Sequence, residues 1–305
     1  MQIRRRLAAE NSILVETRDH PDEEWAAGDA RTAFGFESPF APSWEAERAL
    51  ADGVAEGDLL LPFQPLSFRD FMLYEQHNID AARGYVGRYR RGVAGLARAY
   101  EAVTRSVFPA FRPKPLWYRQ PIYYMGNAAT IVPSGTVVRA PGYTKALDYE
   151  LELAFVLRSP LLDASPAEAE QAIGAFVVLC DFSARDVQIA EMNSGFGPQK
   201  AKHFLTSLSS TAVSAADVLP QWTKLRARVE INGKTVANPD AGRSRWSLGE
   251  VLAHASAGER LHAGELFATG TFVGGSGMEI GRWLQPGDYL RLDIDGVGTV
   301  EHRIL

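Results

Sequence analysis

The chain has 305 residues, 46% hydrophobic and 10% aromatic, enough to bury a substantial core in one large domain with at most a small appendage. A net charge of -5 with mixed signs speaks against a general binder of nucleic acid or another polyanion, so small molecules are the expected partners. The single cysteine, Cys180, excludes an intrachain disulfide, a multi-thiolate zinc site and an all-cysteine iron-sulfur cluster.

The basic start at Met1, Arg4, Arg5 and Arg6 is not followed by an apolar signal core, because Glu10, Asn11 and Glu16 interrupt it. No stretch approaches the ~20 uninterrupted apolar residues of a membrane span. A cytoplasmic protein with neither membrane nor nucleic-acid partners is expected.

Residues 12–17 read as a strand. Ser43 is positioned to cap a helix running to Leu50, with Glu45 and Glu47 near the first turn, where the helix dipole favours acids. Pro62 and Pro65 then mark a boundary between a small N-terminal region, 1–65, and the main domain, 66–305. Ser67 opens a helix carrying Asp70, Tyr74 and His77, in which Asp70 and His77 share a face two turns apart. A longer helix over 80–104 carries Arg83, Arg88, Arg90, Arg91 and Arg98, either as a solvated basic face or with one arginine reaching an anionic substrate.

Pro109, Pro113, Pro115 and Pro121 make 108–124 extended. Short strands are expected at 130–132, 136–139, 150–157, 175–179, 226–231, 289–294 and 298–303, with a two-residue hairpin turn at Asn232-Gly233. Later helices are confined to 165–174, 181–192 and 247–256, so the fold class is a β-rich α+β.

Glu150 and Glu152 stand two apart in a strand, so they share one face while Tyr149, Leu151 and Leu153 occupy the other. They form a solvent-facing row or, if buried, repel until one is protonated or both ligate a cation. Oxygen ligands without cysteine or paired histidines favour magnesium, manganese or calcium over zinc. Asp181 follows an apolar strand and is either a helix cap or a carboxylate held at a cleft. Cys180 reads as a small core residue, and Lys202 in isolation as a surface lysine. His20, His203, His254, His262 and His302 show no ligand spacing. The glycine-rich 269–279 loop lacks the ending of a phosphate loop, and its glycines fit the lip of a site, beside which Glu279 is delivered.

Three segments occurring in order resemble the fumarylacetoacetate hydrolase superfamily over roughly residues 66–300, closest to its fumarylacetoacetase-like branch. They are Leu147-Asp148-Tyr149-Glu150-Leu151-Glu152, the run from Asp181 through Ser183-Ala184-Arg185-Asp186 to Gln188, and the turn Gly270-Thr271. The resemblance implies a mixed β-sandwich roll and a homodimer. It makes Asp70, Glu150, Glu152 and Asp181 ligands of a divalent ion, magnesium foremost, with calcium or manganese as alternatives. It makes His77 the catalytic histidine, Glu279 its partner on a nucleophilic water and Lys202 the stabiliser of developing negative charge. Tyr124, Arg185, Gln188 and Thr271 become substrate or metal-shell contacts. Two departures stand out: Met72 occupies the position of a substrate-binding tyrosine, and either Arg83 or Arg88 would have to supply the arginine that holds a substrate carboxylate.

The expected activity is hydrolysis of a C-C bond in a 1,3-dicarbonyl of fumarylacetoacetate or acylpyruvate type, with water activated by His77 and Glu279 and an enolate left on the metal. The same logic serves decarboxylases, isomerases and hydratases of 2-oxo acids. A non-catalytic member that keeps the ion for stability and only binds a ligand is the alternative of another class; it has no need of His77 and Lys202.

Overall fold

The protein is described by a computed structural model covering residues 1–305. In chain order, the first elements are β1 (Gln2–Ala8), β2 (Ser12–Arg18), β3 (Ala26–Ala27), α1 (Ala30–Phe34), α2 (Pro42–Ala51), β4 (Phe68–Phe71), α3 (Glu75–Tyr89), α4 (Arg91–Thr104), β5 (Tyr123–Gly126) and β6 (Ile131–Pro133). Next come β7 (Leu147–Asp148), β8 (Glu150–Leu157), α5 (Pro166–Gln171), β9 (Ile173–Asp181), β10 (Ser183–Ala184), α6 (Arg185–Asn193), β11 (Thr206–Leu208), β12 (Thr211–Ser214) and α7 (Ala215–Val218). The chain closes with β13 (Ala227–Ile231), β14 (Lys234–Ala237), α8 (Leu248–Ser256), β15 (Leu266–Ser276), α9 (Gly277–Ile280), β16 (Tyr289–Ile294) and β17 (Gly298–Arg303). No helix is long and apolar enough to cross a membrane.

A mixed sheet in the order β3-β2-β1-β12-β9-β8-β15-β4-β5, with β11 and β6 beside β9, forms the body of the protein. Its pairs are antiparallel except β15 with β4 and β11 with β6. The two faces follow from the period of two along each strand. Leu151, Leu153, Phe155 and Leu157 of β8, with Phe176, Val178 and Cys180 of β9, face a large core closed by the second sheet, β14-β13-β16-β17, and by α5 and α8. Ala154 and Val156 of β8, with Ala175, Val177 and Leu179 of β9 and Phe68 of β4, face a second core covered by Phe34, Phe36, Leu61 and Phe63. Sheet packed on sheet gives the expected β-rich α+β roll.

Residues 1–65 are continuous with this body, since β1 pairs with β12 and Ile3 packs among the residues of the second core. Strands β8, β16 and β17 have the bounds read from the sequence. Asn232 (φ 57°) and Gly233 (φ 73°) both take the left-handed conformation that a type I′ hairpin turn between β13 and β14 requires. Ser165 and Ser247 close capping boxes at the starts of α5 and α8.

Several expected elements differ. The helix opening at Ser67 is strand β4, and the helix proper starts at Glu75. The long helix over 80–104 is two, α3 and α4, broken at Arg90 (φ -140°). Ser43 is not a cap: Pro42 occupies the first turn and Ala41 precedes it without a side-chain bond. Asp181 ends β9 rather than capping a helix, because β10 intervenes before α6. Residues 136–139 make only an isolated bridge through Val138, and 108–124 contain two 3₁₀ turns.

Candidate active site

The carboxylates of the site end apolar rows facing the second core: Asp70 follows Phe68, Asp181 follows Ala175, Val177 and Leu179, and Glu150 and Glu152 precede Ala154 and Val156. The strands β9, β8, β15 and β4 are neighbours, so these row ends meet at one end of the central strands. Asp70, Glu152 and Asp181 each bring an oxygen within 4.8 Å of the others, all three buried. Asp70 Oδ1 and Glu152 Oε2 are buried without a hydrogen-bond partner. Burial and the neighbouring carboxylates push the pKa of both residues well up, and burial raises that of Asp181 against the pull of Lys202.

Glu150 stands beside this triad with its oxygens engaged. Oε1 accepts from Arg185 Nη2 at 2.7 Å, and Oε2 pairs with Lys202 Nζ, which also donates to Asp181 Oδ2 at 2.6 Å. Burial works against the charge on Glu150, but Arg185, Lys202 and His77 hold its carboxyl far below the usual range. Lys202 is buried, not a surface residue; burial opposes its charge, and Asp181 and Glu150 keep it protonated. Backbone N–H groups of Gln199, Lys200 and Ala201 bind the Glu191 carboxylate of α6 and so fix the loop that carries Lys202.

Tyr124 OH donates to Asp181 Oδ2 at 2.6 Å and Thr271 Oγ1 to Glu152 Oε1 at 3.2 Å, so both orient carboxylates of the floor. Arg185 is fully engaged: Nε donates to Asp148 Oδ2 at 2.8 Å, Nη2 to Glu150, and Nη1 to Gln188 Oε1 at 2.9 Å. Asp148, for which the sequence reading assigned no role, also accepts from the Met278 N–H at 2.9 Å and ties α9 to this network. Five buried carboxylates thus meet only two permanent cations, Arg185 and Lys202. Unpartnered acidic oxygens converging in so negative a pocket fit a hard divalent ion.

His77 lies on the first turns of α3, with Nδ1 3.0 Å from Glu279 Oε2 and Nε2 3.7 Å from Glu150 Oε1. The Nδ1 contact is close but off the direction of a straight hydrogen bond. Glu279 is immobilised by the capping box of α9, where Oε2 accepts from Ser276 N and Oγ at 3.1 and 2.9 Å, while Oε1 accepts from Gly274 N at 3.0 Å. Burial disfavours the imidazolium, but Glu279 and Glu150 outweigh it and raise the pKa of His77. Glycines permit the approach: a Cβ on Gly84 would overlap the carbonyl of Met278, and Gly270 takes φ +80° against the Phe71 carbonyl.

A cavity of about 530 Å³ opens over this floor, lined among others by Asp70, His77, Tyr124, Glu150, Glu152, Arg185, Gln188, Lys202 and Thr271. Glu279 touches it through His77. Neither Arg83 nor Arg88 lines it: Arg83 is held by Asp80 and Glu101 at 2.7 Å each, and Arg88 stacks 4.1 Å over Trp283. His302 is buried away from the cavity between Ser207 Oγ and the Thr136 carbonyl, both at 2.6 Å.

A β-rich roll with buried carboxylates at the ends of its central strands defines the class of fold, and the family follows from comparison. The model of the Fumarylacetoacetate (FAA) hydrolase C-terminal family matches residues 92–305, and the chain belongs to that family. Glu150, Glu152, Asp181, Lys202 and Glu279 fall inside the match, whereas Asp70 and His77 precede it. Among curated relatives, the human mitochondrial oxaloacetate tautomerase FAHD1 is 26% identical over 152 residues, 50% of this chain and 69% of that protein. Fumarylacetoacetase fahA of Aspergillus fumigatus is 29% identical over 251 residues, covering 66% of this chain and 58% of that protein. Two solved structures share the fold. A 5-carboxymethyl-2-hydroxymuconate delta-isomerase from Mycobacterium smegmatis has a TM-score of 0.66 at 18% identity, covering 100% of this chain and 99% of that one. A fumarylpyruvate hydrolase from Pseudomonas aeruginosa, in complex with Mn2+ and pyruvate, has a TM-score of 0.59 at 19% identity, covering 82% and 93%.

Proposed function

We propose that the protein is a divalent-metal-dependent hydrolase that cleaves a C-C bond of an acylpyruvate-like 1,3-dicarbonyl. Asp70, Glu152 and Asp181 would hold the ion, with Glu150 beside them, and magnesium or manganese suits that oxygen set. When bound, the ion would supply Lewis-acid polarisation of two substrate oxygens. The observation that carries the hydrolytic reading is the buried contact of His77 with Glu279 at the edge of this floor.

His77, fixed by Glu279, takes a proton from water as the water oxygen bonds to the distal carbonyl carbon. Lys202 Nζ, held charged by Glu150 and Asp181, would stabilise the negative charge that develops on the carbonyl oxygen. The bond between that carbon and the pyruvyl methylene then breaks, and the proton on His77 passes to the methylene carbon. A carboxylic acid and pyruvate are the products.

A second reading is favoured by the relatives named oxaloacetate tautomerases. There His77 would only move a proton between the carbon and oxygen of a 2-oxo acid. NMR of acetylpyruvate incubated with enzyme and Mg2+ in deuterated water separates the two. Acetate and pyruvate appearing together support the hydrolase; deuterium entering an intact substrate faster than in buffer supports the tautomerase. No catalysed change would leave a non-catalytic ligand binder.

A further inference from the structure

The cavity joins the carboxylate floor to an apolar wall. Beyond His77 along α3 that wall is built from Ala82 and Val86, with Val93 of α4, Phe108 and Phe111. Ala82, Val86 and Phe108 pack against the small apolar cluster of Ile79, Ala97 and Phe111 that joins α3 to α4. The two permanent cations that line the cavity, Arg185 and Lys202, are both bound by carboxylates of the floor, and His77 faces Glu279. No other lysine or arginine lines it, since Arg83 is forked by Asp80 and Glu101 and Arg88 lies on Trp283. The other polar side chains on the wall, among them Asn78, Tyr85 and Gln188, are neutral.

A substrate carboxylate against that wall would exchange water for apolar side chains with no cation to meet it, which disfavours it strongly. An alkyl or aryl group there gains from burial instead. We infer that the distal group of the substrate is uncharged and apolar, so the enzyme acts on acylpyruvates with an alkyl or aryl acyl chain and discriminates against dicarboxylates. This rests on the reading of the carboxylate floor as the metal site that takes the 2-oxo acid end.

The test compares pentanoylpyruvate with glutarylpyruvate, which differ only in whether the acyl chain ends in a methyl or a carboxylate. With the full chain and Mn2+, the expected kcat/KM for pyruvate release favours pentanoylpyruvate by at least about tenfold, carried by KM. Equal values, or a preference for glutarylpyruvate, overturn the inference. If neither releases pyruvate, the hydrolytic reading fails and binding decides the inference: a larger Tm rise with pentanoylpyruvate supports it. An equal or larger rise with glutarylpyruvate, or none with either, overturns it. Val86→Arg, which adds a cation to the apolar wall, is expected to narrow or reverse the preference, and an unchanged preference in a folded variant counts against the assignment of that wall.

Discussion

His77 Nδ1 lies 3.0 Å from Glu279 Oε2, although one residue sits on the first turns of α3 and the other on α9 near the end of the chain. The carboxylate is fixed by its own helix cap, so it offers the imidazole one position rather than a range of them. If this pair activates water, His77→Gln and Glu279→Gln each lower kcat about a hundredfold or more. Glutamine keeps an acceptor for the Ser276 N–H but sets its amide N–H donors against the Gly274 N–H, so Glu279→Gln lowers Tm modestly in a protein that still folds. Steady-state pyruvate release and a thermal melt check both halves.

Gly84 sets the distance between α3 and α9. Gly84→Ala places a methyl group on the Met278 carbonyl, which must move, and Asp148 already holds the neighbouring N–H. We expect a loss of about 1–3 kcal/mol in urea unfolding and a kcat decrease from displacement of His77 against Glu279. Gly87, on the same helix with open space around it, is the control: Gly87→Ala leaves kcat nearly unchanged and raises stability by about 0.5–1 kcal/mol.

The shared face of Glu150 and Glu152 was legible from a period of two, and strand β8 has the bounds that its pattern implies. The place of Asp70 was not. Its spacing from His77 reads as two helical turns, whereas β4 pairs in parallel with β15, almost two hundred residues away, and the chain turns before α3 begins. Alternation of Phe68 and Asp70 against Arg69 and Phe71 was the local signal, over too few residues to outweigh the helical pattern after it. The bond from Arg185 to Asp148 and the burial of Lys202 arise from pairings remote in sequence, which no local pattern encodes. The apolar distal wall was equally hidden, because α3, α4 and the Pro109–Phe111 turn meet only in the fold.

Repulsion among the floor carboxylates gives metal binding a thermodynamic signature. Burial and neighbouring acids push Asp70 and Glu152 well above the usual carboxylate range, so a bound divalent ion stabilises the folded state and raises Tm. Asp70→Asn removes one of the repelling acids. Its metal-free Tm should equal or exceed that of the unmodified protein, while the Tm rise with saturating Mn2+ shrinks or disappears. Calorimetric scans with and without EDTA read both changes.

His302 makes stability depend on acidity away from the site. Burial pushes its pKa down to about 4 from an ordinary value near 6.5. Below pH about 6.5 the unfolded chain therefore takes up a proton that the folded chain refuses, so stability falls as pH drops towards about 4 and this contribution is flat beyond. The loss is on the order of 3 kcal/mol. Urea unfolding between those pH values should show it, and His302→Gln should flatten that limb of the profile.

Pyruvate release from acetylpyruvate, measured on chelator-treated protein before and after adding Mn2+ and repeated with His77→Gln, tests the central claim most directly. The account predicts turnover that returns only with the ion. It predicts that His77→Gln keeps the metal-induced rise in Tm while losing about a hundredfold or more in kcat. Hydrolysis that persists in excess EDTA, or a His77→Gln protein that hydrolyses at the unmodified rate, would contradict it.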